Sequence, residues 1–473
     1  MVSKYAAGYR GVLRELRKSL DPSRKVNPEI RANFRSVVEG ARKRNNGESL
    51  VDIDNTILFL RSQREHKRLI DRYNPLHDLT EPERIKATAN RVGLNLPKLH
   101  GSEAHAILKT AAHHLCDLHE TVVFPTETVY GLGAVATNAE ASAKIFSTKG
   151  RPADNPLIVH VSSFGMLETL LPPGYEYSKA YRALMENFWP GPLTLLFPRN
   201  AEVIPTIITA GQSSVAIRMP SHPVARALIA VANAPLAAPS ANTSGKPSPT
   251  RAEHVARDLD GRVPLIINGG ACGVGLESTV VDGLNEDGNI RILRPGGITV
   301  EQIEQVLRKE YREGERIPRV LVHKRDYQDE TQEAAPTTPG MKYTHYSPSV
   351  PVTLLSTVSK PPMGESPTSM KSYLERVSSK QPHPPKIGLL APSDSKIWAA
   401  VDECEGPTWH RFDLGLISDP SMSAQRLFDG LLTLEAEGVD FILVEEVAET
   451  HEGLAVMNRV RKAAGDVEWI EYS

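Results

Sequence analysis

The residues best suited to chemistry sit in short polar clusters between positions 124 and 296, each at the end of an apolar run. PTETVYG at 125–131 sets Thr126, Glu127, Thr128 and Tyr130 beside glycines that permit a tight backbone. KGRPADNPLIVH at 149–160 places Lys149 and Arg151 two residues apart, then Asn155 and His160, on a loop stiffened by prolines. Paired cations on a rigid loop suit phosphate and carboxylate groups, because guanidinium binds them bidentately and ammonium acts as a point charge. A merely solvated basic loop has the same composition. SVAIRMP puts Ser214 and Arg218 on one face of a strand. An inward-facing Arg is costly unless paired, so either a ligand or a carboxylate partner is implied. SANTSGKPSPT at 240–250 contributes hydroxyls and Asn242, while GLESTVVDG and ILRPGG contribute Ser278, Thr279 and Arg294. Together these clusters describe a pocket for an anion-rich ligand.

Several alternatives fail on spacing. Gly245-Lys246 lacks the glycine five residues earlier that a phosphate-binding P-loop needs, and Pro247 stands where Ser or Thr is required. GGACGVG at 269–275 does not fit the dinucleotide fingerprint and reads as a turn. His113, His114, Cys116 and His119 fit the polar face of a helix better than a metal cluster. The other cysteines, Cys272 and Cys404, are too scattered for a zinc site or a disulfide framework, which favours a reducing compartment.

The elements that must position these residues can be read from periodicity. From about Thr121, short β-branched runs (TVVF, PLIVHV, SVAIRM, APLAA, PLIIN, STVVDG, IRILRPG) alternate with helical stretches. One of these helices spans about 139–148, with Asn138 as its N-cap and Gly150 as its stop. Residues 311–349 and the Ser/Pro/Lys-rich stretch 356–385 read as linkers or long loops. After Lys386 come strand IGLL, an amphipathic segment at 424–437, strand FILVEE and the helical MNRVRKAA, the order of a small parallel α/β domain. The first segment is helical, with apolar faces Tyr9/Val12/Leu13/Leu16/Leu20, Ile30/Phe34/Val37/Val38/Ala41 and Leu50/Ile53/Ile57/Leu60. It also differs in charge: residues 1–98 hold 21 of the 55 Lys+Arg but 12 of the 57 Asp+Glu, so +9 there offsets −11 in the remainder. No stretch approaches the ~20 apolar residues needed to span a bilayer.

From about residue 100 onward the chain resembles the YrdC-type threonylcarbamoyl-AMP synthases, in their long form with a C-terminal domain. The resemblance rests on ordered blocks: PTETVYGLGA, KGRPADNPL, SVAIRMP, PSANTSGKPSPT, ESTVVD, LRPGG, PGMKYTHYSP and MNRVRKAA. It implies an α/β fold: a YrdC-like twisted mixed sheet with a central, positively charged cavity over 99–310, a linker over 311–349, and a small Rossmann-like domain over 350–473. It also implies that Thr128, His160, Arg218, Ser278 and the backbone of Ala238 surround L-threonine. Lys149, Arg151, Asn155, Ser214, Ser240, Asn242, Ser248 and Arg294 would hold ATP, with Lys149 and Arg151 catalytic and Tyr343 and Tyr346 of the linker closing over the cavity. The implied reaction joins ATP, L-threonine and bicarbonate into threonylcarbamoyl-adenylate, which passes to the tRNA threonylcarbamoyl-transferase machinery, and tRNA contact is a further implied interaction. Mg2+ is expected as the ATP counter-ion, bridging phosphates with few protein ligands, and no metal ligand is assigned.

Residues 1–98 resemble LYR-type mitochondrial assembly factors, nearest the small ATP synthase assembly factor, through YRGVLRELRKSL and RVGLNLPK, with Gly8 in place of the motif leucine. A helical adaptor for a mitochondrial partner is implied there, as a true fusion or as two neighbouring genes joined in one chain. The synthase family places the chain in the cytoplasm, and the LYR likeness adds the mitochondrion. Two competing readings remain. A non-catalytic RNA-binding module is disfavoured by the −11 charge of the cavity-bearing part. A hydrogenase-maturation carbamoyltransferase would need cysteine zinc fingers that three scattered cysteines cannot build.

Overall fold

A computed structural model describes residues 4–18, 28–44, 55–57, 60–62, 101–323, 325–327, 345–379 and 383–472. The chain divides into two compact units, 1–100 and 101–473.

In the first unit, amphipathic spacing produces helices α1 (Lys4–Lys18) and α2 (Pro28–Arg44). Val12 and Val38 form a small core with Tyr9, Leu16, Phe34, Ile57 and Leu60 packed around it. Val37, expected on the buried face, is 59% exposed, so the stripe on α2 is narrower than its apolar residues suggest. Leu20, Leu50 and Ile53 lie outside the described residues.

The second unit begins with α3 (Gly101–Cys116) and continues through β1 (Val122–Pro125), β2 (Tyr130–Val135), α4 (Ala139–Lys149) and β3 (Ile158–His160). Then follow α5 (Lys179–Phe188), β4 (Leu193–Pro198), β5 (Ser214–Arg218), α6 (Pro223–Ala232), β6 (Leu236–Ala237), α7 (Ala252–Leu259), β7 (Thr279–Asp282), β8 (Ile290–Arg294), α8 (Val300–Glu310) and β9 (Val320–Val322). Among the described residues the strands form a nine-stranded mixed sheet in the order β1-β2-β6-β3-β5-β4-β7-β8-β9. Its parallel pairs are β3/β5, β4/β7 and β8/β9.

Three strands here, β2, β4 and β9, were not evident from periodicity. β4 is buried along almost its whole length, so no alternation marks it. β2 carries Gly133 because its neighbour demands it: a Cβ there would lie 2.6 Å from the Phe124 ring. Conversely, PLIIN forms only an isolated bridge, Val123 to Ile266. The stretch 311–349, expected as linker, contains β9, which extends the sheet beside β8.

The C-terminal part comprises β10 (Val352–Ser356), α9 (Met370–Ser378), β11 (Lys386–Ala391), β12 (Thr408–Asp413), α10 (Pro420–Ala436), β13 (Phe441–Glu445), α11 (Glu452–Ala463) and β14 (Asp466–Trp469). Among the described residues its five strands are all parallel, in the order β12-β11-β13-β10-β14. Such sheets are covered on both faces, which explains why FILVE is buried at every position. Helix α9 falls in the low-complexity stretch expected to be a loop: Ser369 caps it, and Met370, Tyr373 and Leu374 bury one face. This domain shares a core with the rest of the unit, since Val129, Leu276 and Tyr346 pack with Leu427 and Phe428. At that seam Gly275 has a positive φ, and a Cβ there would lie 2.3 Å from the backbone of Gln425, so only glycine fits.

Candidate active site

The ends of β1, β3, β5, β7 and β8 bring scattered loops to one cavity of about 700 Å³, counting its open mouth. Helix α4 delivers its first cations. Asn138 accepts the Ala141 N–H at the N-terminus, and Gly150 at φ 61° ends the helix, so that Lys149 and Arg151 leave a well-defined turn. Lys149 is 1% exposed and its Nζ donates to the carbonyls of Ser240 and Asn242. Burial, and then the charge of Arg151, push its pKa well below the usual lysine range. Arg151 donates to the carbonyls of Asn155 (3.2 Å) and Pro156 (2.9 Å). Burial and then Arg294 push it down to about 9, which still leaves it cationic at pH 7. Arg294 donates to the Ser278 carbonyl at 2.9 Å, and burial lowers its pKa too. Cations that depress one another are held in place by the fold at an electrostatic cost, which an anionic ligand offsets.

A second group of residues lies around Arg218. Its Nη1 donates to Thr128 Oγ1 at 2.8 Å and its Nε to the Gly191 carbonyl at 3.2 Å, while Nη2 pairs with Glu127. The carboxylate partner implied for an inward Arg is therefore present in the protein itself. Burial would raise the Glu127 pKa, but Arg218 holds it below the ordinary carboxylate value. His160 is pushed down to about 3 by burial and then by Arg218, so the imidazole is neutral at pH 7.

Of the residues assigned to the site from sequence, the cavity wall contains Thr128, His160, Arg218, Ala238 and Ser278, together with Lys149, Arg151, Ser240, Asn242, Ser248, Arg294 and Tyr346. Asn155 is not among the lining residues: it is buried, and its carbonyl accepts from Arg151. Ser214 is not either. It opens β5 opposite Pro198, about 13 Å along the strand from Arg218, so sharing a strand face does not bring it to the same pocket. Tyr343 lies outside the described residues. Sequence reasoning passed over Glu277, Lys246 and His345, which also line the cavity. Glu277 is the one carboxylate among the described lining residues, and its signal was an acidic residue at the mouth of the apolar strand STVVD. His113 and His114 are taken up by Asp117 and Glu120 at 2.7 and 2.6 Å.

Fold and site thus define an α/β protein with a cation-lined cavity at the ends of its strands. Residues 117–296 match the Sua5/YciO/YrdC family model described as "Telomere recombination", and residues 298–465 match "Threonylcarbamoyl-AMP synthase, C-terminal domain". A Schizosaccharomyces pombe threonylcarbamoyl-AMP synthase is 44% identical over 387 residues, 77% of this chain and 90% of that protein. The Bacillus subtilis threonylcarbamoyl-AMP synthase is 42% identical over 347 residues, 73% of this chain and 90% of that protein. A crystal structure of Pyrococcus abyssi Sua5 complexed with L-threonine aligns with a TM-score of 0.62 at 38% identity, covering 77% of this chain and 96% of that one. The chain belongs to the threonylcarbamoyl-AMP synthase family. Residues 6–95 separately match the Complex1_LYR-like family.

Proposed function

We propose that this chain condenses ATP, L-threonine and bicarbonate into L-threonylcarbamoyl-adenylate and pyrophosphate, the activated intermediate for threonylcarbamoyladenosine modification of tRNA. The observation that carries this reading is the convergence of Lys149, Arg151, Arg218 and Arg294 on one cavity. In the proposed reaction the threonine amine adds to bicarbonate with loss of water to give a carbamate. A carbamate oxygen then attacks the α-phosphorus of ATP in line, and the α–β bridging oxygen leaves with pyrophosphate. Two anions must be brought together, so positioning and fixed positive charge are what the protein has to supply. Lys149, Arg151 and Arg294 are assigned to the nucleotide. Thr128, His160, Arg218, Ser278 and the Ala238 backbone are assigned to threonine, with Arg218 meeting its carboxylate.

Mg2+ enters this scheme as part of the substrate MgATP. The described residues contain no group of three His, Cys, Asp or Glu placed to hold a metal. The one lining carboxylate, Glu277, is engaged by Ser248 and Arg459. Mg2+ that arrives on the ATP phosphates needs few protein ligands.

The product would pass to a tRNA threonylcarbamoyl-transferase, with tRNA contact outside the cavity. A cytoplasmic site of action is proposed for the synthase, and a mitochondrial partner for the LYR-like unit. Among the described residues no helix is long and apolar enough to cross a membrane. The test is pyrophosphate release together with mass spectrometry of the product from labelled bicarbonate. Release should require ATP, threonine and bicarbonate together, and release that persists without threonine would overturn the reading.

A further inference from the structure

The C-terminal domain reaches the cavity wall through a buried ion pair. Arg459 on α11 is 0% exposed. Its Nε and Nη2 each donate to Glu277 Oε2 at 3.1 Å, and Nη1 donates to the carbonyls of Pro295 and Ala455. The other oxygen of Glu277 accepts the Ser248 hydroxyl at 2.6 Å. The Arg459 guanidinium also lies 5.7 Å from the Tyr346 ring, which packs 5.3 Å from Phe428.

Stability alone is a poor account of this arrangement, because a well-packed apolar pair is often as stable as a buried ion pair. The chemistry of the wall supplies another. Glu277 is an anion set among cations that the ligand needs. Although burial would raise its pKa, Arg459 first and Arg294 second hold it below the ordinary value, so it stays charged. Without Arg459, that charge would be left to Arg294 and would compete with phosphate for it. Glu277 also fixes the role of Ser248: with its proton committed to the carboxylate, the hydroxyl presents lone pairs and accepts a donor from the nucleotide.

We propose that Arg459 is a positioning residue for the nucleotide half of the cavity, acting through Glu277 to keep Arg294 available to phosphate and Ser248 oriented as an acceptor. This inference rests on the assignment of Ser248 and Arg294 to ATP. The carboxylate-binding end of the threonine half is held separately by Glu127 and Arg218 and should not depend on it.

The experiment uses the full chain and compares Arg459→Met, Arg459→Lys and the double variant Arg459→Met/Glu277→Leu. Michaelis constants for ATP and threonine, thermal unfolding, and threonine binding by calorimetry without ATP are measured for each. Arg459→Met should raise the ATP KM at least tenfold and leave the threonine KM within twofold, with Arg459→Lys between it and wild type. The double variant removes the carboxylate that would compete for Arg294 but also the acceptor that orients Ser248, so it should recover most of the melting temperature and only part of the ATP KM. An Arg459→Met variant that melts lower but keeps the wild-type ATP KM and kcat would show that the pair only braces the fold, and equal rises in both Michaelis constants would show a general loss of the site. If the wild-type protein forms no adenylate, the functional reading fails and the inference with it. A working wild type beside variants of unchanged ATP KM defeats the inference alone.

Discussion

Glu127 Oε1 lies 2.5 Å from Nη2 of Arg218, with the two side chains 13% and 4% exposed. The proposed threonine-binding cation thus already has an anionic neighbour. This neighbour makes it affordable to keep Arg218 buried before any substrate arrives, since an unpaired interior charge is strongly unfavourable.

Removing that neighbour separates folding from binding. Glu127→Gln leaves a buried guanidinium uncompensated and should destabilise the unliganded protein by about 3 kcal/mol. Threonine would then be the only full negative charge offered to Arg218, and should raise the melting temperature more in the variant than in wild type. Thermal unfolding with and without threonine decides it, and a variant that gains no more than wild type does would refute the assigned role of Arg218.

The neutral His160 gives an acid dependence with a definite sign. Its pKa is about 3 in the fold, against about 6.5 in an unfolded chain. Between those values the unfolded state binds one more proton, so stability falls as pH drops below about 6.5 and continues to fall towards 3. Each such imidazole contributes about 1.4 kcal/mol per pH unit inside that window. Glu127 and Glu277 act lower down: both are depressed, so their contribution is complete above the ordinary carboxylate range and is lost only as pH falls through their folded values. His160→Gln should therefore flatten the pH dependence of unfolding free energy between pH 6 and 5 by about 1.4 kcal/mol per unit, as measured by denaturant titration. An unchanged slope would mean that His160 is protonated in the fold.

Arg151 should matter to turnover far more than to folding. It sits among cations that lower its pKa, so deleting its charge relieves repulsion while losing two hydrogen bonds to carbonyls. Arg151→Ala is expected to cut kcat at least 100-fold, in line with the loss of one electrostatic stabiliser, and to change stability by no more than about 1 kcal/mol. Retention of most of the activity would remove Arg151 from the catalytic machinery.

What the sequence made legible follows from how local each signal is. Cap residues and β-branched runs act within a few positions, so α4, with its Asn138 cap and Gly150 stop, could be read directly. The clustered motifs around Lys149, Arg218 and Arg294 gave most of the cavity because each lies at the end of a helix or strand, where loops converge. Glu277 and Ser214 show the limit from both sides. The importance of Glu277 comes from Arg459, 182 positions away on a helix of another domain, which no local pattern encodes. Ser214 looked equivalent to Arg218 by strand alternation, but alternation fixes a face and not a position along it. Strands β2 and β4 escaped notice for a related reason: a glycine required by the Phe124 ring, and burial along almost the whole strand, erase the alternation that marks a half-exposed strand.

The N-terminal unit should be dispensable for the chemistry. Residues 1–100 form a compact unit of their own, and every described residue in the cavity wall belongs to 101–473. The relative from Bacillus subtilis aligns over 347 residues, 73% of this chain, and the LYR-like match covers residues 6–95. A chain beginning near Lys98 should keep kcat and both Michaelis constants within about twofold of the full-length protein, because none of the fixed charges that position the substrates has been removed. The comparison is a side-by-side pyrophosphate assay on purified full-length and shortened proteins, with circular dichroism to establish that both are folded. Loss of activity in a folded, shortened protein would mean that the helical unit takes part in the reaction, and the assignment of catalysis to residues 101–473 alone would have to be abandoned.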